Sequence, residues 1–144
     1  MKGLLVAQGA KVSKASGELK KIAKSGFVEK DGCYFLRELI KPVVNISDND
    51  FPDKTGCECF FNSLHVVDYM PGADVSVCLN FVEICFESWR SNYHGDLVSI
   101  ISLSEGNDFV IKFHLSRPNE SWLSDDLNEY DEAILLIKAD CHGF

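Results

Sequence analysis

Apolar and polar residues alternate along this chain in several registers, and each register predicts a different element. In "ASGELKKIAKSGF" the apolar Leu19, Ile22 and Ala23 recur at helical spacing. Ser16 is placed to cap the run and Glu18 to oppose the helix dipole, which predicts a helix of about two turns that must dock to persist. "GFVEKDGCYFLREL" sets Lys30, Asp31 and Gly32 between two β-prone runs. That is the pattern of a hairpin whose glycine takes the positive-φ position. "YFLRELI" equally suits the start of a helix that Pro42 would stop.

Residues 47–56, "SDNDFPDKTG", are dense in turn formers and read as a loop within one domain. After Pro71-Gly72, "DVSVCLNF" alternates with Val75, Val77, Leu79 and Phe81 on one face, and "VEICFESW" with Val82, Ile84 and Phe86. The phase slips between Phe81 and Val82, so a strand there needs a β-bulge to keep one apolar face. A helix would align Cys78, Val82, Cys85 and Trp89 but would scatter Val75, Val77, Phe81 and Ile84, and strand is favoured. Trp89 is read as core.

"DLVSIISLSEGNDFVIKFHL" predicts a second hairpin turning through residues 104–108. Phe109, Ile111, Phe113 and Leu115 would point inward, Lys112 and His114 outward. Residues 132–140, "EAILLIKAD", form a continuous apolar run that predicts a last, central strand buried on both faces. Between them lies an acidic, turn-rich segment with one helical turn near Asn119. The sum is a single α+β domain: a mainly antiparallel sheet with one or two small helices, basic over 1–41 and sheet-forming and acidic over 42–144.

A chain of 144 residues can hold a core without staples, so six cysteines are a surplus. The opening apolar run ends at Gln8 and Gly9, short of a signal h-region, and nothing approaches a membrane span of ~20 apolar residues. A reducing cytoplasm is the expected compartment, with the cysteines acting as small hydrophobes.

Charge changes this picture more than composition does. Residues 1–41 carry 9 Lys or Arg against 4 Asp or Glu, and residues 42–144 carry 5 against 18, for a net charge of −8. A surface of that sign repels nucleic acid and attracts a basic protein.

The chemical candidates are few. In a strand, Cys57 and Cys59 would share a face with α-carbons ~6.6 Å apart, within reach of one metal ion. His65 would lie ~20 Å further on, and only Cys33, Cys141 or His142 could complete a site. Buried cysteines continuing the face of Phe61 are the favoured reading, so no metal is expected. His94 and His114 read as solvated side chains. There is no Gly-x-Ser-x-Gly elbow and no Gly-rich phosphate loop, and neither catalytic residues nor a cofactor is expected.

Asp125, Asp126, Glu129, Asp131 and Glu132 are the densest carboxylate group, with Trp122 and Tyr130 among them as aromatic anchors. They are the candidate partner-binding residues. A small acidic α+β chain of this kind resembles the immunity proteins of bacterial contact-dependent growth inhibition and other polymorphic-toxin systems. That resemblance implies a non-enzymatic inhibitor that binds a cognate, basic toxin domain, often a nuclease, and blocks its active site or substrate surface. Its partner would be a protein toxin, with no nucleic acid or membrane. The alternatives are a ligand-binding domain or enzyme with a pocket between sheet and N-terminal helix, or a zinc-stabilised adaptor.

Overall fold

A computed structural model describes residues 14–40, 53–104, 108–118 and 133–138. The first element is helix α1, Gly17–Ser25. Ser16 caps it by accepting from the Leu19 amide, and Gly26 ends it at φ 76°. Its buried residues are Leu19, Ile22 and Ala23. A hairpin follows, β1 (Phe27–Lys30) paired antiparallel with β2 (Cys33–Leu36). Asp31 and Gly32 at its tip take φ 52° and 83°, the pair of left-handed conformations that a two-residue turn of matching twist requires. Helix and hairpin stand where the sequence pattern places them.

Helix α2, Lys54–Phe61, starts inside the stretch read as a loop. Asp53 caps it, its carboxylate accepting from the Gly56 amide at 2.7 Å. Cys57 and Cys59 are therefore helical, not extended. Strand β3 is short, Leu64–His65, and runs into a single 3-10 turn, Val66–Asp68.

The largest correction concerns Val75–Asn92, which is one helix, α3, and no bulged strand. Asp74 starts it by accepting from the Ser76 and Val77 amides. The buried positions Val77, Cys78, Phe81, Val82, Cys85, Phe86 and Trp89 recur every three to four residues, as one helical stripe does. The apolar residues that seemed scattered lie beside this stripe: Val75, Leu79 and Ile84 are half-buried against the same core.

Strands β4 (Leu97–Ser104), β5 (Asp108–Leu115) and β6 (Ala133–Lys138) complete a four-stranded sheet of order β3-β5-β4-β6, with every neighbouring pair antiparallel. The fold is α+β, with this sheet and the separate hairpin. On one sheet face, Leu97, Ile101, Phe109, Ile111 and Phe113 form the main core with α1, α3 and Phe27. Ala15 and Ser88 tie α1 to α3, the Ala15 amide donating to Asn80 and the Ser88 hydroxyl to the Ala23 carbonyl. The opposite face is also covered, because Cys59 of α2 packs with Val98, Ile100 and Ile134.

That second cover explains two further differences. His114 does not face water; it is buried on the α2 side of β5. Strand β6 lies at the sheet edge, not in its centre: among the described residues its strand neighbour is β4 alone. Ile134 is buried under α2 and Leu135 and Ile137 are half-buried against the main core, but Leu136 is 40% exposed, so the strand is not buried on both faces as its apolar run suggested.

Candidate functional site

Helix α2 and its C-cap carry three polar side chains at helical spacing, Thr55, Glu58 and the capping Asn62, and all three are buried. They fill a seam between the edge of β2 and the edge of β5. Leu64 pairs with Ile111, so a continued strand would set residue 62 against Phe113. The chain has instead turned out of α2 there, and side chains take over the role of backbone. The Asn62 amide donates to the carbonyls of Tyr34 and Phe113 at 2.9 and 3.2 Å and accepts from the Leu36 amide at 2.7 Å.

Glu58 does the same one turn earlier. Its Oε1 accepts from the Leu115 amide at 2.9 Å and its Oε2 from the Tyr34 amide at 2.6 Å. The Arg117 guanidinium closes on both oxygens at 2.7 and 2.8 Å and donates to the Gly32 carbonyl at 3.1 Å. Each carboxylate oxygen thus has two donors, the condition under which a fully buried charge is tolerable. This constellation is saturated, so its chemistry is structural: it joins hairpin to sheet. Sequence reasoning passed over it because Thr55, Glu58 and Asn62 align only if 54–61 is a helix.

The described cysteines divide among three environments, with Cys78 and Cys85 in the main core. On α2 the side chains of Cys57 and Cys59 point about 200° apart. Cys57 packs with Cys33, Phe35 and Ile40, and Cys59 with the apolar patch beneath β4 and β6. Burial pushes the thiols of Cys33, Cys59 and Cys78 up to about 12 and that of Cys85 well above its ordinary value, so none is poised as a nucleophile. Among the described residues no three His, Cys, Asp or Glu side chains are grouped to hold a metal. His65, which is half exposed, pairs through Nδ1 with Asp108 at 2.7 Å.

Burial lowers the pKa of His114 below its ordinary 6.5; Glu58 and Asp53 nearby pull it up and Arg117 pushes it down. Its Nδ1 lies 2.9 Å from the Leu115 carbonyl. The unfolded chain therefore takes up this proton first as pH falls below about 6.5, and stability is lost from there down to the folded-state value. A His114→Gln variant is expected to show a shallower loss of stability between pH 7 and 5 than the parent, by up to ~1.4 kcal/mol per unit of pKa difference, measured by urea unfolding.

Among the described residues, an open cavity lies between α3 and the edge strand β6. It has a volume of about 220 Å³ and is lined by Leu79, Val82, Glu83, Phe86, Arg90 and Ile137. This is not the position between sheet and N-terminal helix that the sequence suggested for a pocket. Its walls are mostly apolar, with Glu83 and Arg90 on the helical side. Arg90 Nη1 is shielded from solvent without a hydrogen-bond partner among the described residues.

Over residues 1–143 the sequence matches the family described as "Uncharacterized protein PM0498 family". The chain belongs to that family. No curated protein and no solved structure matches it. The expected partner-binding residues Trp122, Asp125, Asp126, Glu129, Tyr130, Asp131 and Glu132 all lie outside the described residues, as do Cys141 and His142. What the fold adds is their place in the topology: residues 119–132 connect β5 to the edge strand β6. Among the described residues, no helix is long and apolar enough to cross a membrane.

Proposed function

We propose that the chain is an immunity protein that binds a basic toxin domain and blocks its active site or substrate surface. The observation that carries the reading is where the charge resides. The described residues hold 11 Lys or Arg against 12 Asp or Glu, a balance of −1, so −7 of the chain's −8 lies in the other segments. Residues 119–132 alone contain 6 carboxylates and no Lys or Arg. A connection of that composition, with Trp122 and Tyr130 inside it, suits a cationic surface built to hold phosphate. Acidic groups would accelerate the encounter, and the aromatic rings would supply contacts that slow dissociation.

The test begins with the protein that co-purifies with the chain from its native cells. Expressed alone in a laboratory host, that partner should arrest growth, and co-expression of this chain should restore it. A partner that is harmless by itself, or a toxic one that this chain fails to neutralise, sinks the proposal.

A further inference from the structure

Two of the buried cysteines meet where the hairpin rests on α2. Cys33 is the first residue of β2 and Cys57 lies midway along α2, and each precedes a member of the seam: the Tyr34 amide donates to the Glu58 carboxylate at 2.6 Å. That bond brings the two cysteines together, 3% and 5% exposed in one apolar cluster with Phe35 and Ile40. Their thiols are hydrogen-bonded to each other. No other described cysteine shares the cluster, since Cys59 packs with Val98, Ile100 and Ile134 while Cys78 and Cys85 belong to the main core.

We propose that Cys33 and Cys57 are a redox-active pair, closed into a disulfide by exchange with a small-molecule disulfide and reopened by the corresponding thiol. In the closing direction one cysteine, as thiolate, attacks a sulfur of the small disulfide, breaks its S–S bond and releases the first small thiol. The other cysteine then attacks the mixed disulfide, forms the Cys33–Cys57 bond and releases the second. Two protein thiols are oxidised, one small disulfide is reduced to two thiols, and the two protein protons leave with them. The sulfurs close from hydrogen-bond contact to about 2.05 Å.

Folding drives the bond and burial sets its rate. The native contact gives each sulfur a high effective concentration of the other, which favours the internal bond over adducts with the small thiol. The bond closes a loop from residue 33 to residue 57, so it restrains the unfolded chain and fastens the hairpin to α2. Against this, burial first, then the Glu58 carboxylate and Cys57, push the Cys33 thiol up to about 12, with Arg117 opposing. Little thiolate forms while the cluster is closed, so exchange waits for the hairpin to lift from α2. A reducing compartment keeps the pair open and an oxidising one closes it. The pair uses neither residues 119–132 nor a second protein, so it stands apart from the toxin reading.

The test equilibrates the full chain with mixtures of reduced and oxidised glutathione, once in buffer and once in denaturing urea, then alkylates the remaining thiols and maps the peptides by mass. A Cys33–Cys57 bridged peptide should appear. The fold favours the bond by the same factor that the bond favours the fold, so its equilibrium constant against glutathione should be at least about a hundredfold larger in buffer than in urea. The oxidised protein should also melt about 5–10 °C above the reduced one, a difference that Cys57→Ala removes. Equal constants in buffer and urea overturn the proposal, as do glutathione adducts or bridges to other cysteines in place of this one. So does a chain that forms no bridge even when refolded from urea in the redox mixture, where burial no longer slows the exchange.

Discussion

Replacing Glu58 by alanine should cost about 3–5 kcal/mol of folding free energy, a large part of the roughly 5–15 kcal/mol that holds a domain of ordinary stability together. Glu58 is fully buried, and Arg117, 12% exposed, has its guanidinium on both carboxylate oxygens. Truncation takes the Glu58 carboxylate away from a largely buried guanidinium and strips the acceptor from the Tyr34 and Leu115 amides. Glu58→Gln keeps one acceptor and should fall between alanine and the parent. An isolated buried ion pair can often be exchanged for apolar residues without loss. Here Glu58→Leu with Arg117→Met should stay destabilised, because two backbone amides at the seam still need an oxygen. Urea denaturation of the four proteins decides this. Full recovery of stability in the apolar pair would mean that the seam is an ordinary ion pair.

Trp89→Ala should cost a comparable amount, about 3–5 kcal/mol, through the cavity it opens. The indole is 1% exposed and touches three elements at once. It meets Phe27 of β1 and Tyr34 of β2 edge-on, with ring centroids 5.4 and 5.1 Å away, and stacks on Tyr93 at 4.9 Å. Its Nε1–H donates to the Gly95 carbonyl at 3.0 Å in the turn that leads into β4. Trp89→Phe keeps much of the apolar contact and loses the hydrogen bond, so about 1–2 kcal/mol is expected. Thermal unfolding monitored by circular dichroism measures both. A loss below about 1 kcal/mol for the alanine variant would show that hairpin and α3 do not meet through this ring.

The parts of the fold governed by local rules were legible. Ser16 and Gly26 bound α1, Asp31 and Gly32 turn the first hairpin, and the alternation of 109–113 gives the core-facing side of β5. Trp89 is core, as expected. The errors share one cause: they concern segments covered from more than one direction. Helix α3 has the core below it, α1 on one flank and the cavity on the other, so its apolar residues extend beyond a single narrow stripe and imitate strand alternation. His114 and β6 were misplaced because α2 covers the second sheet face, and α2 itself was hidden inside apparent loop and strand patterns. Its capping signal, Asp53 three residues before Gly56, was present in the sequence. The Glu58–Arg117 pair joins residues 59 positions apart, a separation that no local pattern reports. For the segment proposed to bind a partner, the sequence supplies composition and the structure supplies only the strands at either end.

The most direct test of the binding account is the rate at which the chain associates with its captured partner, measured by stopped flow across a range of ionic strength. For the parent the rate should be high at low salt and fall steeply as salt is added. The triple variant Asp125→Ala, Asp126→Ala, Glu129→Ala should associate about tenfold more slowly at low salt and respond more weakly to added salt. Equal rates and equal salt dependence for the two proteins would contradict the assignment of residues 119–132 as the face that meets the partner.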